Sequence, residues 1–332
     1  MTGLLRAGTR TAPDSPDLPA TIGPAFPVRV QPQEVRETFI RLLGLDAIPL
    51  VVATETLFLA ENGGATTSRV TFKNSLGEVV PGVLALPSGS VTGLPAIVCV
   101  TGTTETAEDL QAPAVQQHGA SLHGWARELA RRGYATLAIT VKGTIARRGS
   151  LRRWENENRK LTVWGRSQLG YLAEETIAAA RILAALPMVD DRRIGVAGLS
   201  LGGIAAWHAM AVAPWLAAAV PICGGLGSLE ASVRFGRPDR HSTGMYLPGL
   251  LRYFDHGELI AGAVAPRPFY AIAPTEDLEM PKTGVDWFID RAAPAWAALG
   301  RADRFRVDQP PGGHAFKRSW LPGVIDWLDT NL

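Results

Sequence analysis

Cysteine is scarce. The 332-residue chain has two, Cys99 and Cys223, both in apolar stretches, "AIVCVTG" and "AVPICGG". A secreted fold stapled by disulfides needs more, so both are expected to be buried free thiols. A charge surplus is missing too: 33 Lys and Arg face 31 Asp and Glu, a formal charge of +2. That balance gives no electrostatic footprint for nucleic acid. No apolar run approaches the ~20 residues of a membrane-crossing helix. The first 30 residues carry no apolar h-region. The expectation is a soluble, cytoplasmic protein with no membrane partner.

Cofactor signatures are absent as well. No G-x-G-x-x-G follows a strand; "GLGSLE" has an acid where the third glycine belongs. There is no H-E-x-x-H and no Cys-x-x-Cys. His118 and His123 are five apart, a poor spacing for one helix face, and are expected to be structural. Neither metal nor cofactor is expected.

What is present is length and apolar content: 46% of residues are hydrophobic, enough for a large core. Residues 1–30 are rich in Pro, Thr and Ala without periodicity, and read as a loose arm. "QEVRETFIRLLGL" (33–45) spaces Val35, Phe39, Leu42 and Leu43 as one helix face, ending at Gly44. Three strands follow at 49–60, 67–74 and 78–87, joined by short turns that imply antiparallel pairing.

The rhythm then changes. Strands at 95–102, 134–141, 193–200, 216–225, 266–277 and 304–314 alternate with helices at 122–133, 170–186, 202–212, 287–300 and 319–332. Apolar strands between amphipathic helices predict an α/β fold with a mostly parallel sheet covered on both faces. Residues 46–332 form one domain in this reading, after an arm and short helix over 1–45. Two segments break the alternation, 143–169 and 226–262. Both follow strand C-termini, where insertions overhang the site of such a sheet. They are expected to act as lids.

One turn stands out. Gly198-Leu199-Ser200-Leu201-Gly202 satisfies G-x-S-x-G at a strand-to-helix junction. Glycines two residues either side allow backbone approach where a Cβ would clash. The turn presents the Ser200 hydroxyl, and the N–H of Leu201 at the helix start faces developing negative charge. A serine hydroxyl needs a base, and the base an orienting acid. In this topology the chain order is Ser, acid, His. Of six histidines, His208 lies on the helix directly after Ser200, and His241 and His256 precede the acid-bearing strand. His314, in "QPPGGHAF", remains. "FYAIAPTEDLEMP" offers Asp277 first and Glu276 as runner-up. The loop after "PAIVCV" should supply a second oxyanion donor: the Thr103 N–H, with the Thr104 hydroxyl beside it.

These motifs resemble the α/β-hydrolase superfamily. The chain is most similar to its bacterial esterase branch of dienelactone-hydrolase-like and acetyl-xylan-esterase-like proteins. The resemblance runs from about residue 38 to the end. It rests on "GLSLGG", on "LPMVDDRRIGVAGLS", on "MYLPGLLRYFDHGELIAGAVAPRPFYAIAPTED" with its "APRP" marker, and on "PPGGHAF". The chain departs from dienelactone hydrolases in having Ser200 in place of Cys, and from many relatives in having Thr101-Gly102 in place of His-Gly. The resemblance implies Ser200 as nucleophile, Asp277 as acid and His314 as base. It implies hydrolysis of a small-molecule ester through an acyl-enzyme. A peptidase or amidase on the same residues is the alternative, and a non-catalytic binding protein on this fold the second. Trp154, Trp164 and Tyr246 fall in the lid segments and read equally as pocket walls or core. The Arg-rich stretch 143–160 reads as a solvated basic face. A homo-oligomer is compatible with the sequence, which does not fix it.

Overall fold

A computed structural model describes residues 26, 28–45, 52–62, 65–89, 92–116, 120–236 and 241–332. Most of the expected N-terminal arm, the start of the 49–60 strand and His118 lie outside them. The described chain runs α1 (Val35–Leu43), β1 (Val52–Asn62), β2 (Ala65–Lys73), β3 (Val79–Pro87), β4 (Leu94–Val100), α2 (Ala107–Gln111), α3 (Trp125–Arg132) and β5 (Ala135–Ile139). It continues with α4 (Ile145–Arg148), α5 (Leu151–Val163), α6 (Gln168–Ala184), β6 (Val189–Leu199), α7 (Leu201–Val212) and β7 (Ala218–Ile222). It ends with α8 (Leu229–Phe235), α9 (His256–Ala263), β8 (Phe269–Ile272), α10 (Lys282–Ala298), β9 (Phe305–Asp308) and α11 (Leu321–Asn331).

All nine strands form one sheet in the order β1-β2-β3-β5-β4-β6-β7-β8-β9. The first three pair antiparallel, and β3 meets β5 antiparallel. From β5 to β9 every pairing is parallel. β4 shows why both faces are covered. Its side chains alternate: Val98 and Val100 enter one apolar cluster, Ile97 and Cys99 the other. A two-residue period with both sides apolar requires a layer on each face. One layer brings Leu172 of α6, Trp207 of α7, Ile260 of α9 and Phe288 of α10. The opposite layer brings Leu110 of α2, Trp125 of α3 and Leu328 of α11.

Helix ends follow capping chemistry. α1 stops at Gly44, whose φ of 72° closes the helix in the left-handed region. α2, to which the sequence analysis assigns no element, is held by a capping box: Thr106 accepts from the Asp109 N–H, and Asp109 reaches back to the Thr106 N–H. The two segments that break the strand–helix alternation carry short helices among their described residues. The first contains α4 and α5, the second α8 and all but the last residue of α9. No helix among the described residues is long and apolar enough to cross a membrane.

Candidate active site

β6 ends at Leu199 and α7 begins at Leu201, so one residue, Ser200, makes the whole turn. It does so at φ 55°, ψ −116°, a region that non-glycine residues rarely occupy. Such strain costs about 1–3 kcal/mol and persists where surrounding contacts over-determine it. Here the Ser200 N–H donates to the Ile222 carbonyl at 2.8 Å, and its own carbonyl accepts from the Ile204 N–H at 2.9 Å. The flanking glycines allow the close fit. A Cβ on Gly202 would lie 2.1 Å from the Val100 carbonyl oxygen, and one on Gly198 would lie 2.4 Å from Gly202 backbone. The expected reason for the glycines, close backbone approach, is what the packing contains.

The structure brings Ser200, His314 and Asp277 together. His314 Nε2 lies 2.7 Å from Ser200 Oγ. Its Nδ1 lies 2.8 Å and 3.0 Å from the two oxygens of Asp277. With an ionised acid, this network assigns the proton to Nδ1, which leaves Nε2 to accept from the hydroxyl. Asp277 is buried and its Oδ1 also accepts the Glu279 N–H at 2.9 Å. Backbone bonds lash the two loops: Thr275 N–H to the Pro310 carbonyl and Glu276 N–H to the Gly312 carbonyl, both 3.0 Å. Two residues past the histidine, Phe316 is fully buried edge-on against Trp125 and anchors the loop. Glu276, the runner-up acid, is exposed and holds the loop through its main chain.

The Thr101–Thr104 loop follows β4. Thr101 is buried, and its hydroxyl accepts the Val141 N–H at 3.2 Å. The Gly102 N–H is consumed by the Glu105 carboxylate at 2.6 Å, and the Thr103 carbonyl accepts the Ile145 N–H at 2.8 Å. Leu201 is the first residue of α7, where N–H groups have no intrahelical acceptor. Thr103, Thr104, Leu201, Ser200 and His314 line the same cleft.

Sequence reasoning missed Glu105. It is buried, its Oε1 has no hydrogen-bond partner, and burial raises its carboxyl to about 7 against the pull of the Gly102 N–H. One charged residue before a helix cap gives no sequence signal of burial.

The cleft is open to solvent above Ser200 and His314. Arg148, Leu151 and Trp154 wall it from the first helical insertion, His241 and Met245 from the second. Beside it, sharing Ile204, His241 and Met245, lies an apolar pocket that also takes in Trp207, Tyr246 and Leu247. Trp154 is buried and Tyr246 faces this pocket, but Trp164 is 83% exposed and belongs to neither pocket nor core. The basic stretch is not one solvated face. Arg147 makes a two-pronged pair with the fully buried Glu175, at 2.7 Å and 2.9 Å.

The other described histidines have other partners. His208 is buried, its Nδ1 bonds the Ile204 carbonyl at 2.8 Å, and desolvation lowers it to about 3, so it stays neutral. His256 Nδ1 bonds the Gly227 carbonyl at 2.8 Å, and His241 pairs with Glu279 at 3.2 Å. His123 stands 4.0 Å from Asp109. Both cysteines are buried free thiols. Cys223 brings Sγ within 4.8 Å of Asp277 and His314 donor atoms, a set that could in principle ligate a metal. Burial keeps that thiol protonated, and the Asp277–His314 contact is already a hydrogen bond, so the set does not offer open ligands.

No protein-family model matches the chain. The "Putative hydrolase YtaP" of Bacillus subtilis is 29% identical over 188 residues, 56% of this chain. The match spans 61% of that relative's length. Among solved structures, a "putative acetyl xylan esterase" from Bacteroides fragilis superposes with a TM-score of 0.67 at 18% identity, covering 84% of this chain and 74% of its own. An acetyl xylan esterase from Paenibacillus sp. R4 gives 0.63 at 16%, over 93% and 98% of the two chains. A glucuronoyl esterase from Solibacter usitatus gives 0.62 at 16%, over 89% and 91%. At these identities the likeness establishes architecture, and the chain has the α/β-hydrolase fold.

Proposed function

We propose that this chain is a serine carboxylic-ester hydrolase working through an acyl-enzyme. The observation that carries the reading is the unbroken relay from Ser200 Oγ through His314 to Asp277, at 2.7 Å and 2.8 Å. That solved structures of the same fold bear esterase names agrees with it.

Ser200 Oγ attacks the ester carbonyl carbon while its proton passes to His314 Nε2. Asp277 holds the ring by Nδ1 and stabilises the imidazolium. The oxygen of the tetrahedral intermediate takes hydrogen bonds from the Leu201 and Thr103 N–H groups, with the start of α7 adding positive potential. His314 then returns the proton to the leaving alkoxide, which departs as an alcohol. Water attacks the acyl-serine with His314 again as base, releasing the acid and restoring Ser200. In the same reading residues 46–332 act as one catalytic unit, with 143–169 and 226–262 roofing the cleft. The two buried thiols fit a cytoplasmic setting.

The test is turnover of 4-nitrophenyl acetate together with labelling by a fluorophosphonate. The expected result is one adduct per chain, mapped to Ser200, and loss of at least ~10³-fold activity in Ser200→Ala. Turnover that survives Ser200→Ala sinks the hydrolase reading. A chain that neither turns over esters nor labels is a binding protein on this fold.

A further inference from the structure

We propose that the apolar pocket beside the cleft is a hydroxyl-recognising subsite whose acceptors are the Nε2 atoms of His208 and His256. It selects esters carrying a short unbranched chain that ends in a hydroxyl. The inference rests on the hydrolase reading above and extends it to substrate class.

The pocket continues the cleft past Ile204, His241 and Met245, which line both. His208 and His256 line its wall while only 2% and 9% exposed. Their rings lie against Trp207, with centroids 3.6 Å and 5.0 Å from its own. Both are locked in the same way. Nδ1 faces a main-chain carbonyl, that of Ile204 for His208 and of Gly227 for His256, each at 2.8 Å. A carbonyl only accepts, so the proton sits on Nδ1 and Nε2 is an acceptor. Desolvation lowers both imidazoles, which keeps the rings neutral. No donor among the described residues bonds either Nε2.

Two acceptors in an otherwise apolar chamber are short of a donor. The chemistry of the walls narrows the guest. A wholly apolar group would leave both lone pairs unpaired. A carboxylate would meet lone pairs and no donor. An ammonium would bring charge into a chamber where Glu279, the carboxylate among the described lining residues, already holds His241 at 3.2 Å. A neutral hydroxyl on an apolar stem satisfies both the walls and the acceptors. The spacing sets the length of that stem. His208 follows Ser200 by two turns of α7, an axial rise of about 12 Å. Helical side chains lean back toward the N-terminus, so a chain of about six atoms beyond the ester covers the distance. The same hydroxyl can be carried by the acyl chain or by the alcohol chain.

Two matched probe pairs test this, each trading a terminal hydroxyl for a methyl. The pair of 4-nitrophenyl 6-hydroxyhexanoate and 4-nitrophenyl heptanoate places it on the acyl side, and the pair of 6-hydroxyhexyl acetate and heptyl acetate on the alcohol side. The readout is the hydroxyl-to-methyl ratio of kcat/KM. The wild type is expected to favour the hydroxyl at least tenfold in one pair, because a site with unpaired acceptors discriminates against a guest that cannot donate. In that pair at least one of His208→Phe and His256→Phe, which keep a ring and lose the acceptor, is expected to lower the ratio fivefold or more. His208→Leu and His256→Leu remove the same acceptors with a smaller side chain and serve should the Phe variants fail to fold. A wild-type ratio under tenfold in both pairs overturns the subsite, and so does a fall short of fivefold in the variants of both histidines. In either case Ser200-dependent turnover of 4-nitrophenyl acetate leaves the hydrolase reading standing. Absence of that turnover in the wild type removes the hydrolase reading, and the substrate assignment with it.

Discussion

Asp277 meets His314 with both carboxylate oxygens, at 2.8 Å and 3.0 Å from one ring nitrogen. A carboxylate can only accept there, so the ring must present Nδ1–H and leave Nε2 free for Ser200. Asp277→Asn can turn its amide N–H toward the ring instead, which favours the wrong tautomer. kcat should fall about 10³–10⁴-fold with a much smaller change in KM. Steady-state kinetics on 4-nitrophenyl acetate checks this. A kcat within tenfold of wild type would contradict the assigned role.

Ser200 holds a strained backbone at the tip of its turn. Replacing it by glycine, which accepts φ 55°, ψ −116° without strain, should stabilise the fold. Relief of about 1–3 kcal/mol is offset by roughly 0.5–1 kcal/mol of added chain entropy. The net gain is about 1 kcal/mol, which urea unfolding can resolve. Ser200→Ala keeps a Cβ and so keeps the strain. Both variants should lose activity, and Ser200→Gly alone should gain stability. Equal stability of the two would mean the turn stores no strain.

That turn was readable from residue order because the chemistry and the steric demand coincide. G-x-S-x-G needs its glycines for backbone approach, and the same spacing marks it in the chain. That Asp277 and His314 would meet at the sheet edge followed from topology, since they sit in loops directly after β8 and β9. The central strands were legible through unbroken apolar runs. What stayed hidden depends on distant partners. Arg147 and Arg148 are adjacent and chemically identical, yet Glu175 on α6 takes one and leaves the other facing the cleft. Trp164 looks like pocket or core in the sequence, but at the C-cap of α5 it is left outside both. Helix α2 was missed because its five residues give too short a period to see.

Gly202 tests the packing beneath the site. With a Cβ, Ala would overlap the Val100 carbonyl at 2.1 Å and the Thr101 carbonyl at 2.8 Å, backbone of the last residue of β4 and of the first residue after it. Neither atom can rotate away, so β4 and α7 must separate. Gly202→Ala should cost about 2–4 kcal/mol, well above an ordinary surface change. It should also lower kcat, because the Thr101–Thr104 loop moves with β4. Gly77→Ala is the control for a glycine with open space around it, where backbone strain at φ 76° is the sole penalty. Thermal unfolding of the pair should show the larger loss at Gly202, and only that variant should lose turnover.

Glu105 gives the loop a pH dependence of known sign. Its carboxyl titrates at about 7 when folded, against an ordinary 4.5, because burial penalises the charge more than the Gly102 N–H favours it. Between those values the folded state binds the proton and the unfolded state does not, so this group's contribution to stability falls as pH rises from 4.5 to 7. Above 7 both states are ionised and the penalty is full, about 3 kcal/mol from the size of the shift. His208 and His256 act in the opposite sense. Burial lowers both, so protonation of the unfolded chain costs stability as pH drops below the usual imidazole range. The wild-type curve therefore mixes opposing slopes, and the informative quantity is a difference. Glu105→Gln keeps an acceptor for the Gly102 N–H and cannot ionise. Its stability relative to wild type should rise steadily from pH 4.5 to pH 7 and then level off, measured by urea unfolding at fixed ionic strength. A flat difference across that window would mean that Glu105 is not held as a protonated acid behind the loop.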